Sequence, residues 1–428
     1  MKVLVLGAGV IGVTTAYYLR RQGAEVTVID RQSGPGLETS FANGGHLSFG
    51  QALPWATPEA PLQLLTWVGR RDAPLRLRAR WDPALWRWGA KFLANCTPGR
   101  YRANTKILMR LAATSQVLLS ELMADRRDLR FGYRKAGVLT VFRTRRAFDR
   151  EARRLTTEGA DPEDDPQQVL DAAACVATEP ALASAHHQGK IIGGLLPKNA
   201  ATGDARQFTE QLAIICQHLG VEFRFGVEIT SLQRVTGKIT GAETSQGFIP
   251  ADAVVLALAS HSPAVARTVG LVLPIVPVKG YSVTLPMSGN TGPTLGILDA
   301  ERKVVVTPVD GGLRAAGTAE FSGYDEAIDL GRAQAIADVA RDLFPQLGSG
   351  PRDVSDAKPW AGLRAMTPDG APLLGPIPAS YGCANLFLNT GHGPLGWTLA
   401  CGSAKLVADW IGGSSPADPS GITFARFG

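Results

Sequence analysis

The sequence predicts an α/β fold in which a Rossmann-like unit with a parallel sheet is split along the chain and interleaved with an α+β unit built on an antiparallel sheet. Three observations carry this. The chain opens on a strand, a glycine loop, a helix and a second strand within residues 1–30. A continuously apolar strand appears much later, at Ala253 to Ala257, as strands covered on both faces of a parallel sheet require. Between Leu273 and Gly317 the pattern instead alternates, with Gly, Pro and Asp turns, as antiparallel strands do.

The opening unit runs from Lys2–Leu6 through Gly7, Ala8, Gly9, Val10, Ile11 and Gly12 into a helix over Val13–Gln22, then a strand over Ala24–Ile29 that ends in Asp30. Gly7 suits a tight turn, Gly9 close approach of the backbone to a pyrophosphate, and Gly12 close packing of helix on strand. Free N–H groups at the helix N-terminus favour phosphate, and Asp30 stands where a carboxylate accepts ribose hydroxyls. A dinucleotide is therefore the expected ligand, the alternative being a structural turn. Arg31 and the small-residue run Glu38-Thr39-Ser40-Phe41-Ala42-Asn43-Gly44-Gly45-His46 follow, suited either to cofactor contact or to a surface loop.

The bulk properties exclude several classes. The chain has 428 residues, enough for two interlocking domains with a large core. Its five cysteines are scattered without a CxxC pair, which predicts free thiols in a reducing compartment. The six histidines lack ligand spacing, so no catalytic metal is expected. Net charge is +6, too diffuse to indicate nucleic acid. The early apolar run is broken by glycines and continues into a charged helix, so neither a cleaved leader nor a membrane span is expected.

From Gln51 to Trp88, prolines, tryptophans and arginines interleave, among them Trp55, Trp67, Arg70, Arg71, Arg76, Arg78, Arg80, Trp81, Trp86 and Trp88. Cations and indoles together suit a membrane interface; a helical insertion with packed tryptophans and a solvated basic face reads equally well. Helices are expected over Thr105–Asp125, Arg145–Glu158, Asp204–Leu219, Leu330–Leu343 and Leu399–Ile411, and a strand over Gly137–Thr144. Asp161–Gln168 reads as a surface link, and Val227–Pro250 as an antiparallel meander. A second glycine block, Gly391 to Gly396, feeds the last helix and offers another helix N-terminus to a cofactor.

Together with ETSFANGG, PWATPEAPL, RRDAPL, VKGYSVTLP, GLRAMTPDGAPLLG and NTGHGPLGWTLACG, these features resemble the flavin amine-oxidase superfamily of D-amino acid, glycine and sarcosine oxidases, and within it most closely the bacterial D-amino acid dehydrogenases (small subunit). The resemblance spans nearly the whole chain. It implies non-covalent FAD, with residues 1–50, 190–260 and 350–428 forming a discontinuous FAD-binding domain. Residues 51–189 and 261–349 would form the substrate domain, with the basic Trp/Arg-rich insertion around 51–100.

By the same resemblance, Gly7, Gly9, Val10, Ile11, Gly12, Asp30 and Arg31 hold the ADP half, and Val227 contributes backbone to the adenine side. Ser40, Asn43, Gly44, Gly45, His46 and Leu47 line the flavin, and Gly391, His392, Gly393, Pro394, Leu395, Gly396, Trp397 and Thr398 surround the ribityl chain and pyrimidine. Arg364 aligns with the arginine that grips the substrate carboxylate, the alternative partner being Asp369 or another acid. Tyr281 aligns with a tyrosine beside that carboxylate, or is a core tyrosine. His46 and His392 are candidate polar groups of the pocket, or satisfy backbone partners. His46 replaces the family's glutamine, Gly45 its alanine, Ala365 its proline and Ala259 its glycine.

The implied reaction is oxidative deamination of D-amino acids to 2-oxo acids and ammonia, with hydride passing from the α-carbon to the flavin and electrons passing on to a respiratory quinone. The enzyme would be cytoplasmic, with peripheral contact at the inner face of the cytoplasmic membrane. A D-proline or D-hydroxyproline dehydrogenase, or a glycine or sarcosine-type oxidase, remains an alternative, and flavin-dependent tRNA modification a remote one.

Overall fold

The computed structural model describes residues 1–67, 74–78, 81–157, 167–197, 199–287, 292–345, 354–416, 419 and 421–427. Arg70, Arg71 and Arg80 of the basic insertion, and most of the expected 161–168 link, lie outside these.

The Rossmann-like sheet has six strands in the order Leu373–Pro376, Leu386–Thr390, Ala253–Leu256, Lys2–Leu6, Glu25–Asp30, Glu222–Phe225. All neighbours are parallel except the first pair. The reason for the unbroken apolar run at Lys2–Leu6 is that both faces are covered. Val3 and Val5 point into a core with Val13, Tyr17, Leu212, Leu399 and Val407, while Leu4 and Leu6 point into another with Leu232, Ile239 and Val265. Helices Val10–Arg21, Ala205–His218 and Gly396–Ile411 form the first layer, and the meander Ile229–Val235, Lys238–Thr244, Gly247–Pro250 lies on the second. Asp204 caps its helix as the sequence pattern expects, accepting from the N–H groups of Arg206 and Gln207 at 2.9 and 3.1 Å.

The second sheet has nine strands. Its main path runs Pro359–Met366, Val276–Pro286, Gly312–Phe321, Val304–Val309, Gly296–Asp299, Val138–Phe142, Gly193–Pro197, Gln167–Asp171, with Leu75–Leu77 beside Gly312–Phe321. It is mostly antiparallel as expected, but two pairs, Gly296–Asp299 with Val138–Phe142 and Gly312–Phe321 with Leu75–Leu77, are parallel. The Pro359–Met366 strand lies in the 350–428 segment assigned from sequence to the FAD-binding domain, yet it pairs along its full length with Val276–Val283 of the second sheet.

Pro98–Asp125 is the one helix among the described residues long and apolar enough to cross a membrane by length and composition. Here it packs Leu108, Leu111, Ala112, Leu119 and Leu122 into the core beside the C-terminal helix. The helix also begins seven residues before the expected Thr105, with Pro98 at its start, where a missing N–H costs nothing. All five cysteines are buried and free.

Candidate active site

A cavity of about 860 Å³ lies between the two sheets. The first glycine loop forms its floor. Gly7 holds φ +107°, and a Cβ there would come within 2.6 Å of the Ala257 carbonyl; at Gly12 it would come within 1.8 Å of the Gly7 carbonyl. Gly9 is different: its only near neighbour would be Ser40 Oγ at 3.6 Å, so the backbone at Gly9 is open to a ligand. Ser40 Oγ accepts from the Val10 N–H at 3.1 Å, which ties the helix start to the small-residue loop.

Asp30 ends the second strand with both oxygens engaged, accepting from the N–H groups of Ala8 at 2.7 Å and Gln32 at 2.8 Å. Burial raises its pKa, against the lowering effect of those two bonds. Arg31 pairs with Glu38 at 2.6 Å. Val227, buried, donates its N–H to the Asp30 carbonyl at 3.0 Å and borders the same end of the cavity.

The Ser40–His46 segment is clasped to the second sheet. Thr307 donates to the Gly44 carbonyl at 2.7 Å, Asn43 accepts from the Gly45 N–H at 3.0 Å, and Gly45 has φ +70°. From the far side the Gly391–Thr398 block closes the cavity, with Gly391 and Gly393 at φ +78° and +56° ahead of the last helix. His392 Nε2 lies 3.1 Å from Ser403 Oγ, and burial lowers its pKa to about 3; burial lowers that of His46 to about 4. Both rings are therefore neutral near pH 7.

Of the site residues expected from sequence, Gly7, Gly9, Val10, Ile11, Asp30, Arg31, Ser40, Asn43–His46, Val227, Tyr281, Arg364 and all of Gly391–Thr398 border this one cavity. Gly12 and Leu47 do not. Gly12 packs beneath the loop, and Leu47 points into the hydrophobic core, because alternation on the short His46–Ser48 strand turns its neighbour His46 to the other side.

A dinucleotide fits these residues on two independent grounds. The loop at Gly7–Gly12 has no room for side chains, and Gly9 is left open. In addition, His46, Asn389 and Trp397 border the cavity, and each carries a buried polar atom (His46 Nε2, Asn389 Oδ1, Trp397 Nε1) without a hydrogen-bond partner among the described residues.

Arg364 sits at the opposite end, on the Pro359–Met366 strand. Its Nη1 donates to the Thr318 carbonyl at 2.9 Å, and the guanidinium lies 6.0 Å from the Trp55 ring centroid. Asp369, the acid that could have neutralised it, is taken by Arg426 at 2.7 Å. No carboxylate pairs with Arg364 among the described residues, and burial alone lowers its pKa to about 10. It remains cationic at neutral pH and lacks an anion. Gly280 makes room for it: a Cβ there would come within 2.3 Å of Nη1. A lone glycine inside a strand is a sequence signal of close approach, and here it marks a site residue that motif reading passed over.

Tyr281 borders the cavity as well, but its hydroxyl is engaged within the protein. Successive residues of a strand face opposite ways, so where Gly280 faces Arg364 the Tyr281 ring packs with Val283, Ile297 and Ile336. Its hydroxyl donates to Glu320 Oε2 at 2.8 Å in a buried cluster with Lys279, and burial raises its pKa. Trp360, Gly280 and Thr318 border the cavity without having been named as site residues, and Trp55, read from sequence as part of the basic insertion, borders it too.

Residues 2–410 match the model of a family described as FAD dependent oxidoreductase. The chain is 44% identical over 430 residues, covering 100% of both chains, to a protein of Rhizobium rhizogenes named D-amino acid dehydrogenase. It is 46% identical over 418 residues, covering 97% and 96%, to one of the same name from Methylobacterium nodulans. In three dimensions it resembles glycine oxidase from Geobacillus kaustophilus, with a TM-score of 0.74, 21% identity and coverage of 99% and 98%.

Proposed function

Since the chain belongs to the family of FAD-dependent oxidoreductases, we propose that it oxidises D-amino acids to 2-oxo acids and ammonia. Arg364 carries the reading: a buried cation in the cavity, without an acid of its own, selects a carboxylate ligand and matches its two oxygens with a planar fork. The relatives named D-amino acid dehydrogenase, similar from end to end, supply the substrate class and its handedness.

FAD, when bound, accepts the hydride that leaves the α-carbon. The chain's own part is placement. Gly7–Gly12 and Asp30 would hold the adenosine end and pyrophosphate, and His46, Asn389 and Trp397 would meet the other end through their unpartnered atoms. Arg364 fixes the carboxylate and, with it, the orientation of the Cα–H bond. His46 and His392 stay neutral, so neither delivers a proton at neutral pH. The substrate α-ammonium therefore gives one proton to water before the Cα–H bond breaks, and the iminium left by hydride loss gives a second to water to become the imine. Water then converts the imine to the 2-oxo acid and ammonia.

The electron acceptor is proposed to be a quinone reached at a membrane surface. The residues supporting this are apolar rather than basic. Leu62, Leu65, Trp81 and Trp86 are 69%, 75%, 90% and 58% exposed on the insertion. Arg76 pairs with Asp329, and Arg78 pairs with Glu320 and Asp325, which leaves neither free for lipid.

The test is anaerobic mixing of the flavin-loaded protein with D-alanine, L-alanine, D-proline or glycine while following the flavin absorbance. Bleaching by D-alanine but not L-alanine is expected. Bleaching by glycine or D-proline alone would move the assignment to another branch of the family, and no bleaching by any amino acid would overturn it. For the membrane contact, Trp81→Ala with Trp86→Ala should reduce co-sedimentation with anionic vesicles.

A further inference from the structure

Beside Arg364 the cavity carries an apolar wall, and the insertion builds it. Trp88 and Met366 are buried in a cluster against which Trp55, Leu75 and Phe92 pack while only partly buried. The Trp88 indole N–H donates to the Met366 carbonyl at 2.9 Å and its ring stacks on Phe92 at 5.2 Å, which fastens the insertion to the second sheet. Trp55, Leu75 and Phe92 keep accessible surface, and all three border the cavity. None of the described insertion residues that border it carries a charge. Arg76 and Arg78 do not border it, and pair with Asp329, Glu320 and Asp325.

This wall stands where a ligand of Arg364 lies. A Cβ at Gly280 would meet Nη1, Cζ and Nη2 alike, so one face of the guanidinium rests on that strand, and the Thr318 carbonyl takes Nη1. The Trp55 ring centroid is 6.0 Å from the guanidinium, and Leu75 pairs with Ala319, next to Thr318. The two glycine loops are committed to the cofactor, which leaves the insertion's wall to the substrate.

We propose that Trp55, Leu75 and Phe92 seat the substrate side chain, so that the enzyme selects D-amino acids with large apolar side chains over D-alanine; the proposal rests on the function assigned above. A side chain that covers the wall releases water from both surfaces, and the gain grows with the apolar area covered. A methyl group covers little of it. An isobutyl group covers more, and a phenyl group can also pack against an indole. A charged side chain would lose its hydration there without meeting a partner on the insertion.

The experiment uses the flavin-loaded protein and three carboxylates without an amine: propionate, 4-methylpentanoate and 3-phenylpropionate. Their Kd values are read from perturbation of the flavin spectrum, alongside KM and kcat for D-alanine, D-leucine and D-phenylalanine. In wild type, 3-phenylpropionate should bind about tenfold tighter than propionate, with 4-methylpentanoate between them, and KM should fall in the same order. Trp55→Ala and, separately, Phe92→Ala should each lower that ratio about threefold, while Trp55→Phe, which keeps a ring, should retain more of it. A variant that only loosens the fold shifts both Kd values together and leaves the ratio unmoved.

Equal affinity of wild type for propionate and 3-phenylpropionate overturns the proposal without any variant. So does a ratio that survives intact in both Trp55→Ala and Phe92→Ala, which would place the side chain elsewhere in the cavity. These outcomes leave the carboxylate site standing. Propionate binding equally to wild type and Arg364→Leu removes that site, and with it the function assigned above.

Discussion

The two faces of the Val276–Pro286 strand treat charge in opposite ways. On one face Lys279, Tyr281 and Glu320 are buried against each other: the tyrosine donates to Glu320 at 2.8 Å, and Lys279 reaches Asp325 at 3.3 Å and the Ala327 carbonyl at 2.9 Å. Arg78 closes the set from the neighbouring strand. On the other face Arg364 has a single carbonyl, that of Thr318, and no acid among the described residues. On the first face lysine, tyrosine and glutamate meet one another within the protein, although Arg332, over the Tyr281 ring, keeps Nε and Nη2 without a partner among the described residues. The second face leaves its cation unmet, and unmet polar groups in a cavity mark where a ligand completes the structure. Chemistry-bearing residue types are as dense on the first face as on the second; the difference lies in their partners.

Removing the cation from the open face should give the largest effect. Arg364→Leu is expected to lower kcat/KM by about 10³-fold, about 4 kcal/mol, within the range for losing one partner of a desolvated charge pair. The ligand-free protein should not be destabilised, because the deleted charge has no acid to leave stranded among the described residues. Steady-state kinetics with D-alanine and a thermal melt without substrate check the two halves. A drop in both would make Arg364 structural and erase the contrast between the faces.

The closed face should respond the other way, and by less. Glu320→Gln leaves Lys279 and Arg78 facing a neutral amide, although Asp325 still serves both. A loss of about 3 kcal/mol of stability is expected, at the lower end of what breaking a buried pair costs. KM per folded molecule should move little. Denaturant unfolding and active-site-titrated kinetics read these separately. A KM effect as large as that of Arg364→Leu would show that the two faces act as one unit.

The fold and much of the site were legible because both rest on local constraints. A turn that admits only glycine, a helix whose N-cap is Asp204 and a strand covered on both faces each leave a mark within a few residues. What stayed hidden depends on partners distant in sequence. Arg364 could have paired with Asp369 five residues on, and nothing nearby reveals that Arg426 claims it. Tyr281 follows the Lys279-Gly280 pair in a segment whose alternation is plain, but what each parity packs against is set by strands distant in sequence. Thr318, whose carbonyl takes Arg364, left no mark, since the two meet only through strands distant in sequence. The Pro359–Met366 strand, within the 350–428 segment expected for the FAD-binding domain, pairs with the other sheet, and pairing partners are not written in periodicity.

The smallest expected effect is the dependence of ligand binding on pH, and it sharpens the comparison without any mutation. Burial lowers the Arg364 pKa from its ordinary value to about 10. The charged form is thus complete below that pH and is lost above it. Burial lowers His46 to about 4 and His392 to about 3, so both remain neutral through the neutral range. The affinity of the flavin-loaded protein for propionate should therefore be flat from about pH 6 to 9 and then fall about tenfold per unit beyond pH 10, as the free protein loses the proton the carboxylate needs. The sign follows from the depressed value, since the anion binds only the protonated guanidinium. Propionate titrations across that range decide the point. An inflection between pH 6 and 7 would mean that a histidine of the cavity carries charge, and that Arg364 is not its only cation.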